Sequence, residues 1–245
     1  DMRLLIIRHG DPDYEKDSLT EKGWREAELL SRRISRMEVA KVYVSSLGRA
    51  KDTASLTLQK MGKTAIECQW LREFWPGIKR PDVAEGSRGI AWDWLPQDWT
   101  AEEAYFQREG WADTDIMREG RVGEAYAEVV ENFDAVLAEH GYVREGDFYR
   151  AERPNRDTIV FFCHFGMECV LLSRLMNTSP MILWHHLCAA PSSVTTVYTE
   201  ERCPGKAIFR VSAFGDISHL YVAGEEPSFS ARFCETYDSQ GERHD

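Results

Sequence analysis

No apolar stretch in the 245 residues approaches the roughly 18 positions of a membrane-spanning helix. The N-terminus runs straight into Arg3 and a strand-like segment, with no apolar signal core or small-residue cleavage site. The expectation is a soluble cytoplasmic protein without membrane contact, with Met2 as its natural start. Cysteine is sparse and unpatterned. Cys68, Cys163, Cys169, Cys188, Cys203 and Cys234 form no Cys-x-x-Cys pair, and a chain this long needs no disulfide staples, so free thiols are expected. No carboxylate and histidine cluster has recognisable ligand spacing, so no metal is expected. The adjacent His185 and His186 share no helix or strand face and read as structural. Basic charge is also short: 30 Lys and Arg stand against 41 Asp and Glu, a formal charge of −11. Without a basic stripe a nucleic-acid surface is excluded. An anionic ligand would need a local arginine cluster.

Composition is otherwise that of a globular protein, with 43% hydrophobic and 29% charged residues and no low-complexity tract. The length suits one domain, residues 1–245, with a substantial insertion. Arg3-Leu4-Leu5-Ile6-Ile7-Arg8-His9-Gly10 is an almost wholly apolar run that ends in arginine, histidine and glycine. Such a run reads as a strand buried on both faces, with Arg8 and His9 at its carboxyl end. Ligands of open α/β sheets bind at that edge. Thr20 then opens a helix whose inner stripe is Ala27, Leu30, Ile34 and Met37. A second strand at 41–44 leads through Ser45-Ser46-Leu47-Gly48-Arg49 into a helix with Ala50, Ala54, Leu58 and Met61 on one face. A short third strand is expected at 65–68.

Six of the eight tryptophans lie between Trp70 and Trp111, and residues from about 75 to 120 lack clear periodicity. This segment reads as an insertion, its tryptophans mostly core, placed to form a lid over the site. A long helix is expected at 123–140, then a polar linker to Asp157. The apolar run Thr158-Ile159-Val160-Phe161-Phe162-Cys163 repeats the first pattern and ends in His164-Phe165-Gly166. A following helix carries Val170, Leu171, Leu175 and Met176 inward. Two β-rich runs around Cys203-Pro204-Gly205 read as a hairpin at the sheet edge. The sum is an α/β fold, a three-layer α/β/α sandwich with a mostly parallel central sheet.

Arg8, His9, Arg49 and His164 thus converge on one sheet edge. Two guanidinium groups can hold phosphoryl oxygens by charge-assisted hydrogen bonds, and a neutral imidazole is a nucleophile near physiological pH. The chemistry indicated is phosphoryl transfer.

Arg8-His9-Gly10, Leu19-Thr20-x-x-Gly23, Ser45-Ser46-Leu47-Gly48-Arg49-Ala50-x-x-Thr53-Ala54 and His164 after an apolar strand occur in that order. In this the chain resembles the histidine phosphatase superfamily, the phosphoglycerate mutase-like family, over most of its length. Ser218-His219-Leu220 is similar to a further recurrent stretch. The resemblance implies that His9 is the nucleophile that becomes a phosphohistidine, and that Arg8, Arg49 and His164 bind the phosphoryl group, His164 also aiding catalysis. Glu73, in Leu71-Arg72-Glu73-Phe74, is the candidate general acid, with Glu168 as the alternative on the helix leaving the site and facing away. The family often carries Ser or Thr where this chain has Pro12 after Asp11, so one first-loop phosphate contact is not implied. Ser46 replaces a frequent proline, and Phe165 stands where many members have glycine, which would narrow the pocket.

The implied activity is a metal-independent phosphomonoesterase acting on a small phosphorylated metabolite, without a cofactor. A phosphoglycerate mutase-type phosphotransferase and a non-catalytic phosphoanion-binding module are the alternatives. Oligomeric state is left open, a homodimer included.

Overall fold

Alternation along the first strand decides which layer each side chain enters, since successive residues of a strand point to opposite faces. The computed structural model describes residues 1–244. Its main sheet contains β1 (Arg3–Arg8), β2 (Lys41–Ser45), β3 (Ile66–Cys68), β4 (Tyr142–Glu145), β5 (Phe148–Ala151), β6 (Thr158–Cys163), β7 (Val194–Cys203) and β8 (Lys206–Asp216). Leu5 and Ile7 enter one core with Leu30 and Ile34 of α1 (Glu21–Ile34) and Ala50 and Ala54 of α2 (Gly48–Met61). Leu4 and Ile6 enter the other with Phe133 and Leu137 of α3 (Val122–Glu139) and Val170 and Leu171 of α4 (Phe165–Met176). These are the three layers expected from the sequence.

The strand order is β3-β2-β6-β1-β7-β8-β5-β4. β3, β2, β6 and β1 pair in parallel, and the remaining pairs are antiparallel. Because β8 and β4 return to the direction of the parallel four, most strands run one way. Three expectations are corrected. The supposed polar linker before Asp157 is the hairpin β4–β5, whose charged outer positions hide the buried Tyr142, Tyr149 and Ala151. Tyr149 meets Phe209 edge-on at 4.9 Å. That hairpin occupies the edge, so β7 and β8 lie inside the sheet, β7 directly against β1. Met176, at the last turn of α4, is 46% exposed rather than core.

Thr20 caps α1 by accepting the Gly23 N–H at 3.1 Å, and the Ala27, Leu30 and Ile34 stripe is fully buried. The helix stops at Ile34, which leaves Met37 beyond it. α2 has no cap of its own at Leu47. Asp17 supplies one from a distant turn, its carboxylate accepting the Gly48 N–H at 2.6 Å and the Arg49 N–H at 3.3 Å. The approach is close enough that a Cβ on Gly48 would meet the Asp17 carbonyl oxygen at 2.2 Å.

Within 75–120, Ile78, Trp94, Trp99, Tyr105, Trp111 and Met117 are buried in the core on the α3 and α4 side. α5 (Pro180–His186) anchors them. His185 donates from Nδ1 to the Met181 carbonyl at 2.6 Å, accepts the Trp94 N–H at Nε2 at 3.0 Å, and stacks on Trp99 at 4.7 Å. The ring is committed on both nitrogens, in keeping with a structural role. Among the described residues no cysteine forms a disulfide, and no helix is long and apolar enough to cross a membrane.

Glu26 of α1 is fully buried, with Oε1 accepting the Asp11 N–H at 2.7 Å and Oε2 without a partner. Burial pushes its pKa up to about 7. A carboxyl raised on folding keeps its proton while the unfolded chain loses one, so stability falls as pH rises from the ordinary glutamate value to about 7. We predict that Glu26→Gln removes about 3 kcal/mol of that pH dependence, measured by urea unfolding at pH 5 and 8. A variant with the wild-type pH dependence would show that Glu26 does not titrate in this way.

Candidate active site

β1 and β6 pair in register from Arg3 opposite Thr158 to Arg8 opposite Cys163. The next residues, His9 and His164, therefore emerge side by side, with ring centroids 5.2 Å apart, and both are buried. β2 flanks β6 and ends at Ser45, beyond which α2 carries Arg49. The sheet thus gathers residues from three segments that are distant in sequence.

The His9 ring is oriented by its own backbone. Nδ1 lies 2.7 Å from the Gly10 carbonyl oxygen. A carbonyl only accepts, so Nδ1 carries the proton and Nε2 keeps a lone pair. Burial, then the Arg8 guanidinium, and more weakly Arg49, hold the His9 pKa well below the ordinary value, against the Gly10 bond. His164 is also held well below the ordinary value, first by burial and then by His9, Arg49 and Arg8. Both rings are neutral at physiological pH.

The arginines are fixed at one end and unpartnered at the other. Arg8 donates from Nη1 to the Ala189 carbonyl at 2.8 Å, and Arg49 donates from Nη1 to Asp17 Oδ1 at 2.8 Å. Arg49 also lies 5.1 Å from the centroid of the Tyr14 ring. Arg8 Nε, Arg49 Nε and His164 Nδ1 are buried without a partner among the described residues. Buried donors with no acceptor are costly unless an anion meets them.

Glu73 is half-buried beside this cluster. Its Oε1 accepts the N–H of Phe74 at 2.7 Å and of Met167 at 2.9 Å, and Oε2 accepts the Gly166 N–H at 3.2 Å. Burial raises its pKa, opposed by these three donors and by Arg8. Glu168 corrects an expectation. It lies on α4 but turns inward, 1% exposed, within electrostatic reach of Arg8 and Glu73. Burial pushes its pKa up to about 8. Phe165 packs edge-on against Trp92 at 6.0 Å.

Several contributors were not singled out from the sequence. Thr53 accepts the Gly10 N–H at 2.9 Å and donates to the Arg49 carbonyl at 2.7 Å, joining the first loop to α2. Ser45 Oγ lies 2.8 Å from His164 Nε2. Ser192, in the left-handed region at φ 68°, donates its N–H to the His9 carbonyl at 2.9 Å. Arg33 donates to His219 Nδ1 at 3.1 Å, so Nε2 carries the ring proton for Ser192 Oγ at 3.0 Å. The Ser218-His219-Leu220 stretch therefore braces the backbone of His9. Asp11 accepts hydroxyl protons from Thr20 at 2.6 Å, Ser230 at 2.8 Å and Ser228, which ties the first loop to the C-terminal segment. The useful signal was position: Ser45 ends a strand, and Thr53 falls one helical turn after Arg49.

Comparison with known proteins places the fold among known structures. A phosphoserine phosphatase mutant of Entamoeba histolytica in complex with phosphoserine superposes with a TM-score of 0.57 at 17% identity, over 90% of this chain and 100% of that one. A mycobacterial glucosyl-3-phosphoglycerate phosphatase gives 0.55 at 18% identity, over 87% and 99%. These likenesses establish a shared fold. A probable phosphoglycerate mutase of Serratia proteamaculans is 26% identical over 152 residues, 57% of this chain and 70% of the relative. The profile of the histidine phosphatase superfamily, branch 1, matches residues 4–208, and with the convergence of Arg8, His9, Arg49 and His164 at the ends of three parallel strands, the chain belongs to that superfamily.

Proposed function

We propose that the protein is a phosphatase that hydrolyses a small phosphomonoester through a phosphohistidine on His9, without a metal ion. The observation that carries this reading is the His9 ring: neutral, with its proton on Nδ1 bound to the Gly10 carbonyl at 2.7 Å and its Nε2 lone pair free among unpartnered cationic donors. Arg8 and Arg49 hold the phosphoryl oxygens, and Nε of each is buried without a partner among the described residues. We assign the Ser45 hydroxyl, which also accepts the Leu47 N–H at 3.2 Å, as the donor to His164 Nε2. That leaves His164 a proton on Nδ1 for a phosphoryl oxygen. The insertion at 75–120 covers the site and selects the substrate, while residues 1–245 act as one domain.

In the first step Nε2 attacks phosphorus in line, the N–P bond forms and the ester P–O bond breaks. Glu73 gives its proton to the departing alkoxide. In the second, Glu73 as carboxylate takes a proton from water, whose oxygen attacks phosphorus. The N–P bond breaks, inorganic phosphate leaves, and Glu73 ends protonated as it began. The raised Glu73 pKa suits both halves of this cycle. Mutase chemistry would need a second hydroxyl acceptor to reach the phosphohistidine in place of water.

Three outcomes are expected. His9→Ala abolishes turnover while inorganic phosphate still binds, and wild-type enzyme quenched during turnover carries acid-labile, alkali-stable phosphate on His9. Near-normal turnover by His9→Ala would end the covalent reading. Activity survives exhaustive chelation, because the two arginines supply the charge that a metal would bring; loss on chelation with recovery on adding a divalent ion would refute this. Glu73→Gln slows alkyl phosphates by about 10²-fold or more and 4-nitrophenyl phosphate far less, since nitrophenolate departs without a proton. Equal slowing of both, in steady-state assays, would count against the acid role.

A further inference from the structure

The proposal concerns Trp92, and it rests on the reading of Glu73 as the proton donor. The indole sits against the same small surface as the carboxylate. A Cβ placed on Gly166 would meet Glu73 Oε1 at 2.6 Å, Trp92 Nε1 at 2.7 Å and Trp92 Cε2 at 2.8 Å. Carboxylate and indole edge therefore crowd one point on the first turn of α4, and only glycine leaves room for both. The indole is held there. Its Nε1–H donates to the Phe74 carbonyl at 2.6 Å, and the Phe74 N–H donates to Glu73 Oε1 at 2.7 Å. Trp92 is thus bonded to the residue that follows the acid, while its ring packs edge-on against Phe165, the residue before Gly166. The two segments that cradle Glu73 are clamped by one side chain from the insertion.

We infer that Trp92 is a positioning residue for proton transfer: it fixes the Glu73 loop on the N-terminal turn of α4 and shields the carboxyl from water, so that the acid is still protonated when the ester bond breaks. The electrostatics agree. Three backbone N–H groups and Arg8 all favour the charged carboxylate, yet burial wins and the Glu73 pKa is raised. A carboxyl so well supplied with donors would titrate low if it were fully solvated. The titratable groups facing it are Arg8 from β1, Glu168 and Cys169 from α4, and Cys163 from β6. Of the groups around the carboxyl, the indole comes from the insertion and is apolar on its face, which makes it the natural water barrier.

The test compares wild type, Trp92→Ala, Trp92→Phe and Glu73→Gln as full-length proteins, checked for cooperative thermal melting. kcat/KM is measured against pH with β-glycerophosphate and with 4-nitrophenyl phosphate. For Trp92→Ala the alkaline limb of the β-glycerophosphate profile is expected to move down by about one unit or more. At neutral pH its kcat/KM for that ester falls at least about tenfold, and that for the aryl ester much less. Trp92→Phe keeps the apolar cover and loses the bond to Phe74, so its limb stays within about half a unit of wild type with a smaller loss of rate. It also decides the question if the alanine variant does not fold: a limb displaced as far as the acid's ordinary range would overturn the shielding account. An unmoved limb in a folded Trp92→Ala, or equal losses on both esters, would overturn the inference. If Glu73→Gln itself leaves β-glycerophosphate turnover unchanged, the assignment of Glu73 fails, whatever Trp92 does.

Discussion

Six consecutive parallel pairings join β1 to β6, ending with Arg8 opposite Cys163, and the geometry of the site follows from that register. A slip of one residue would turn every side chain of one strand to the opposite layer. Because both faces are apolar, it is the packing of Leu4 and Ile6 in one core and of Leu5 and Ile7 in the other that holds the register. The hydrophobic pattern thus does more than build layers. It brings His9 level with His164, and with β2 alongside it puts the Ser45 hydroxyl 2.8 Å from His164 Nε2.

Placing two guanidinium groups beside two buried imidazoles creates an electrostatic imbalance that the fold partly offsets. Asp17 balances Arg49 from the rim, half in solvent, with its pKa held low despite burial by the N–H groups of Gly48 and Arg49 and by the guanidinium. Among the described residues Arg8 has a carbonyl, that of Ala189, as its hydrogen-bonded partner, with Glu73 and Glu168 within electrostatic reach. Burial keeps both carboxyls toward their neutral forms. The site thus holds two guanidinium groups, one of them balanced by Asp17, within a chain of formal charge −11. That contrast makes the site selective for an anion by local arrangement rather than by the field of the whole molecule.

Arg8, His9, Arg49 and His164 were legible in the sequence because charge at the end of an apolar strand is conspicuous, and parallel strands bring such ends together. Glu73 was legible through the segment that carries it. The supporting residues were not. Asp17 meets Arg49 across 32 positions, and no local pattern marks that distance. Ser45, Thr53 and Ser192 are small polar residues whose roles depend on which backbone groups happen to face them. The β4–β5 hairpin escaped notice because its strands are short and charged on their outer face. Trp92 escaped because the insertion has no period to say which of its tryptophans lies where. Glu168 was placed on the correct helix, but helical phase alone did not show that it turns inward.

The crowding of aromatic residues on one side has an optical consequence. Trp94, Trp99, Trp111 and Trp184 are buried in the core that the insertion shares with α3 and α4, and Trp70 and Trp92 pack against it. Only Trp24, on α1, belongs to the opposite layer. The intrinsic emission of the protein is therefore a one-sided gauge. It registers loosening of the insertion and its anchor at His185, while the layer formed by α1 and α2 stays almost dark. A partly unfolded form that had lost only the insertion would look largely denatured by fluorescence and largely native by circular dichroism.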